Sequence, residues 1–292
     1  QFVDIGLDRV HHGFWQHHDP RHVAYEAGNP YENVIRDYYL HLDEELGQVL
    51  ELLDDDTAVL VLSDHGARPL DGGFCVNEWL VQQGLLVLNR YPEQVTPFAR
   101  LDVDWSRTKV WSEGGYYARV FLNIKGREPN GVIDPRDARA FREEVKALFE
   151  ATTGPDGKPL GTLVFRPEET YRDLKNIPPD LIVHFGALSW RSIGGVGYGT
   201  IHTQENDTGP DGCNHAQYGA FILAGAGELQ GEVEGAHLLD MAPTLLRIGG
   251  YDVPESMQGR ALTGAEPVAA GGRTAAGEEI IRQRLSGLGY IS

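Results

Sequence analysis

Residues 58–62 read Ala-Val-Leu-Val-Leu, an unbroken apolar run that ends in Ser63-Asp64-His65-Gly66. A run this short, rich in valine and leucine and closed by polar residues, predicts a strand covered on both faces, as in the centre of a parallel sheet. Ahead of it, apolar residues stand at 35, 38, 39, 42, 46, 49, 50 and 53, which is helical spacing with one apolar face over residues 31–53. Phe2 to Leu7 predicts a strand before that helix, so the opening third reads as strand, helix, strand, the repeat of an α/β fold. The acid and imidazole at 64–65 then fall at the C-terminal end of a buried strand, where α/β sheets collect their sites.

Further along, the pattern predicts helices over 76–83 (closed by Gly84), 135–152 and 238–248, and strands over 117–124, 180–185 and 220–224. The stretch from Gly186 to Asn214 is glycine-rich and without periodicity, which predicts a long functional loop. Residues 263–277 read as an Ala/Gly linker and 278–288 as a terminal helix. At 292 residues the chain suffices for one large domain or two small ones.

Charge excludes one class of partner. A formal net charge of −18 is opposite to the basic face that nucleic-acid binding requires. It does not exclude a phosphate substrate, because bound cations reverse a local field. No apolar run reaches the length of a membrane-spanning helix. Cys75 and Cys213, the two cysteines, predict free thiols, with one disulfide left open.

Three clusters carry chemistry. Asp8 and His12, in "LDRVHHGFW", lie four residues apart and reach one point if a helical turn carries them. Asp64 and His65 close the apolar strand. His215, in "GCNHAQYGAFI", leaves the long loop before another strand. Carboxylate with neutral imidazole suits zinc, or manganese as the alternative, and two adjacent cations would clamp a phosphoryl transfer. Each pair taken singly also fits an ordinary turn or ion pair. His17, His18, His22 and His202 read as solvated loop residues.

The stretches "DRVHHGFW", "VLVLSDHGAR", "FLNIKGREPNG", "ENDTGPDGCNHAQYGAFILAG", "LLDMAPTLLRIGGYDVPESMQGRAL" and "RLSGLGYI", in this order, resemble the alkaline phosphatase superfamily. The similarity is to its type I phosphodiesterase/nucleotide pyrophosphatase branch and the related bacterial phosphohydrolase/phosphomutase group. The resemblance implies an alkaline-phosphatase-like α/β fold, with a mostly parallel central sheet, helices on both faces and an insert near 85–175. Residues 1–262 would form the C-terminal portion of that domain, its N-terminal part missing, and 263–292 a linker and helix. It also implies metal-dependent hydrolysis of a small phosphate ester, most simply a phosphodiester or nucleotide pyrophosphate. Asp8, His12 and His215 would hold one divalent ion, and Asp64 and His65 would help hold a second. Asn206, Asp207, Asp211 and Asn214 would orient His215 or line the substrate wall. The Thr or Ser nucleophile of a covalent phospho-enzyme would lie upstream of Gln1, so the isolated chain would be inactive. Phosphomonoesterase, phosphomutase and non-catalytic metal-binding readings stay open, and a cytoplasmic location is expected.

Overall fold

The computed structural model describes residues 1–204, 211–225 and 231–262. The expected linker and terminal helix beyond 262 lie outside these residues. In chain order the helices are α1 (Gly6–His18), α2 (Val34–Leu50), α3 (Val76–Gln82), α4 (Ala138–Glu150), α5 (Pro167–Thr170) and α6 (Leu238–Ile248). The strands are β1 (Val59–Leu62), β2 (Gly66–Pro69), β3 (Gly72–Cys75), β4 (Val110–Glu113), β5 (Ala118–Leu122), β6 (Leu163–Phe165), β7 (Leu181–His184), β8 (Trp190–Ile193), β9 (His202–Thr203), β10 (Cys213–Ala216) and β11 (Phe221–Ala224). None of the helices is long and apolar enough to cross a membrane, among the described residues.

The chain divides into two compact units, Gln1–Leu50 with His65–Gly219, and Glu51–Asp64 with Ala220–Ser292. The first holds the larger core. Its four-stranded antiparallel sheet runs in the order β4-β5-β7-β6. In β5 the alternation is regular: Ala118, Val120 and Leu122 are buried while Arg119 is exposed. α4 lays Val145 and Phe149 into this core, both fully buried. Phe149 meets Trp79 of α3 at 4.7 Å between ring centroids, and Phe74 stacks on Phe185 at 4.1 Å. Each fully buried side chain of this size stabilises the unit by about 2–3 kcal/mol. Arg127 closes the sheet end, gripping Asp180 through two hydrogen bonds of 2.8 and 2.6 Å. Asp180 also accepts from the Leu122 amide at 2.7 Å.

Two smaller sheets of this unit position the site. β3 pairs parallel with β8 and antiparallel with β9. β2 pairs antiparallel with β10, placing His215 opposite Ala67 and Ala216 opposite Gly66. In the second unit, β1 pairs antiparallel with β11, in register from Val59–Ala224 to Leu62–Phe221.

Several expectations are corrected. The fold is mixed α/β, but the sheets are mostly antiparallel; among the described residues β3–β8 is the parallel strand pairing. A continuous apolar run reports burial and is silent on the direction of the neighbour. β1 is also less covered than its composition suggests, with Val61 and Leu62 about 40% exposed. Residues 2–7 are no strand, because the Asp4 carboxylate accepts the Leu7 amide at 3.0 Å and starts α1. The stretch 186–214 is not one long loop; it contains β8 and β9 and the beginning of β10. Its Arg191 and Ser192 are buried polar residues, so no apolar period announces β8. His17 and His18 belong to α1, and His22 is buried rather than solvated. Both cysteines are buried free thiols.

Candidate metal centre

α1 places Asp8 and His12 one turn apart on one face, so His12 Nε2 lies 3.5 Å from Asp8 Oδ1. Asp8 sits in the first helical turn, where the helix dipole favours a carboxylate. The β2–β10 ladder brings the other two imidazoles. His65 immediately precedes β2 and His215 lies within β10, so their rings stack at 3.8 Å with planes 15° apart. Gly66 permits the close approach at this end of the ladder: a Cβ there would stand 2.1 Å from the Tyr218 carbonyl oxygen. The loop before β10 is tied to α1 by the Gly212 amide donating to the His12 carbonyl at 2.9 Å.

Three imidazoles thus converge on one carboxylate oxygen. His215 Nε2 lies 3.6 Å and His65 Nε2 4.0 Å from Asp8 Oδ1, and His12 and His215 bring their Nε2 atoms within 3.3 Å of each other. Two overlapping triads result, sharing Asp8 and His215. In Asp8–His65–His215 the donor atoms all lie within 4.8 Å of one another. In Asp8–His12–His215 the separations are 3.5, 3.6 and 3.3 Å. Tetrahedral zinc with bonds of about 2.0–2.1 Å needs donor–donor edges of about 3.3–3.4 Å. The second triad meets that requirement more closely. The donor set, one carboxylate and borderline-soft nitrogens, fits zinc better than the oxygen-preferring cations.

The far sides of His12 and His65 are also held. His12 Nδ1–H donates to Asp211 Oδ1 at 2.7 Å. That bond first, then contact with Cys213, pushes the His12 pKa up to about 11 against a smaller opposing effect of burial. The bond directs His12 Nε2 toward Asp8 and is the usual outer partner of a metal-binding histidine. His65 Nδ1–H donates to the Gly66 carbonyl at 2.9 Å, which likewise turns its Nε2 inward. Buried Asn214 accepts the His215 amide on Oδ1 at 3.0 Å, and its Nδ2 donates to the Leu188 and Tyr116 carbonyls at 2.8 and 3.3 Å.

The site residues expected from sequence distribute as follows. Asp8, His12, His65 and His215 come together within the first unit. Asp64 ends the opening segment of the second unit. Asn206 and Asp207 lie outside the described residues. Asp211 contacts His12, from which it is 199 residues away in sequence. Two neighbours went unnoticed in the sequence: Tyr116, whose ring stacks on His215 at 3.9 Å, and Arg191, whose guanidinium lies 5.0 Å from the Tyr116 ring centroid. The glycine pair Gly114-Gly115 was the available signal for a close backbone approach.

A carboxylate and an imidazole on helix α1, with two further imidazoles at the β2–β10 ladder, define an α/β protein with a candidate divalent-cation site. The chain belongs to the type I phosphodiesterase / nucleotide pyrophosphatase family, whose model matches residues 2–211, more than half its length. This is the phosphoester-hydrolysing branch of the alkaline phosphatase superfamily that the order of motifs resembles. The matched span contains Asp8, His12, His65 and Asp211, and His215 follows just after it. No curated protein and no solved structure matches the chain.

Proposed function

We propose that the protein is a metal-dependent phosphohydrolase acting on phosphodiesters or nucleotide pyrophosphates, and that Asp8, His12 and His215 hold one of its divalent cations, zinc by preference. The observation that carries this reading is the triangle of donor atoms, with edges of 3.3–3.6 Å, inside a family of phosphoester hydrolases. His65, with its chain neighbour Asp64, is proposed for a second cation; Asp64→Asn tests that assignment without appeal to geometry. A cation bound here would supply Lewis-acid charge against phosphoryl oxygens and lower the pKa of an oxygen nucleophile.

The chain's own side chains do the rest. Asp8 contributes the one carboxylate among the four inward-facing groups, so an attached cation keeps net positive charge toward an anionic substrate. Asp211 holds the Nδ1 proton of His12, leaving Nε2 to act as ligand. Asn214 fixes the backbone on which His215 is carried. The resemblance assigns the Thr or Ser nucleophile of a phospho-enzyme to a segment preceding the Asp8–His12 motif.

In the full-length protein, His215→Ala is expected to lose bound zinc and nearly all activity on bis-p-nitrophenyl phosphate. Metal analysis beside the chromogenic assay decides the matter, since an unchanged zinc content contradicts the ligand assignment. Competition between diester and monoester substrates separates the proposed activity from a phosphomonoesterase.

A further inference from the structure

We propose that Arg191 is a positioning residue that sets the geometry of two imidazoles at once, His12 through Asp211 and His215 through Tyr116. The inference rests on the reading of Asp8, His12 and His215 as metal ligands. Arg191 projects from β8 and is only 7% exposed. A guanidinium this buried is tolerated only with compensating partners. One partner is Asp211, whose Oδ2 lies 3.5 Å from Arg191 Nη1 while its Oδ1 takes the His12 proton at 2.7 Å and the Cys213 amide at 3.3 Å. Both carboxylate oxygens are therefore engaged, and rotation of the carboxylate away from His12 would break the ion pair.

A second partner is the Tyr116 ring, with the Arg191 Cζ 5.0 Å from its centroid. Tyr116 lies nearly parallel to His215 at 3.9 Å and to His12 at 5.7 Å, with interplanar angles of 27° and 28°. The backbone enforces this stack. Gly115 exchanges hydrogen bonds with Ser192, the residue after Arg191, at 2.8 and 3.0 Å. Gly115 adopts φ +137°, and a Cβ at Gly114 would sit 2.5 Å from the Gly194 amide nitrogen. Only a glycine pair lets the segment before Tyr116 run this close to β8. One side chain thus touches both Asp211, which holds His12, and Tyr116, which stacks on His215.

The test uses full-length protein stripped of zinc and loaded with cobalt(II), whose visible absorption reports ligand geometry. Arg191→Met is expected to weaken cobalt binding about 10–100-fold, the range seen for lost outer partners of metal ligands, and to shift the visible band. Because Arg191 acts partly through Asp211, its effect in an Asp211→Asn background should be clearly smaller than in the wild type. Full additivity, or wild-type affinity and band in Arg191→Met, overturns the proposal. Should Arg191→Met lose its near-ultraviolet circular dichroism, Arg191→Lys carries the test. Lysine keeps the charge but not the planar face, so a weaker affinity with a shifted band is expected, and wild-type values overturn the inference. Asp8→Asn separates the two levels: undiminished cobalt binding there refutes the cation site itself, whereas its loss beside an unaffected Arg191→Met refutes only the positioning role.

Discussion

The proton of His12 is held firmly, because its Nδ1–H faces the Asp211 carboxylate at 2.7 Å. A folded-state pKa of about 11, above the unfolded value of about 6.5, has a defined consequence for the metal-free protein. The stabilisation is fully present below the unfolded pKa and is lost as pH rises through the folded one. The stability difference between wild type and His12→Gln, from urea melts in the presence of chelator, should therefore shrink between about pH 6.5 and pH 11. A pH-independent difference would contradict the Asp211–His12 bond as the cause. At this scale the sequence was readable where partners are close along the chain. Asp8 and His12 share one helical turn, so their spacing alone suggests a common target. Asp211 was expected, with its loop neighbours, to orient His215 or line the substrate wall, and its carboxylate meets His12, distant in sequence.

Among the elements, the pieces that aim Arg191 are clamped by α3. Buried Asn77 donates through Nδ2 to the Ser112 carbonyl at 2.8 Å and the Gly194 carbonyl at 2.7 Å, and accepts the Ser112 amide at 3.0 Å. It joins the end of β4 to the turn after β8. Asn77→Ala should destabilise the protein by about 3 kcal/mol, since it leaves buried backbone groups unpaired. Phe149→Ala, which opens a cavity in the core beneath α4, should cost about 3–5 kcal/mol. Chemical denaturation measures both, and only the first should also weaken cobalt binding, because only Asn77 touches the segments that carry Arg191 and Tyr116. Helices α2, α3, α4 and α6 follow from their periodicity to within a few residues. Strand direction does not, because β1 and β11 pair antiparallel through side chains that would suit either arrangement. β8 escaped notice because its Trp-Arg-Ser-Ile sequence is wholly buried, polar residues included, and has no alternation to detect.

On the scale of the whole molecule, the net charge of −18 is unfavourable to an anionic phosphate ester. Cations bound by the convergent Asp and His groups would reverse the field locally, so removing them should abolish phosphoester hydrolysis by the full-length protein. Chelation followed by zinc restoration should recover it. The family assignment was legible because six short motifs keep their order along the chain, and the match over residues 2–211 covers the first three of them and the start of the fourth. The most direct measurement is an anomalous difference map at the zinc absorption edge from crystals of the zinc-loaded protein. The account predicts a peak about 2.0–2.2 Å from Asp8 Oδ1, His12 Nε2 and His215 Nε2. Zinc bound elsewhere, or a triad with no anomalous signal, would contradict it.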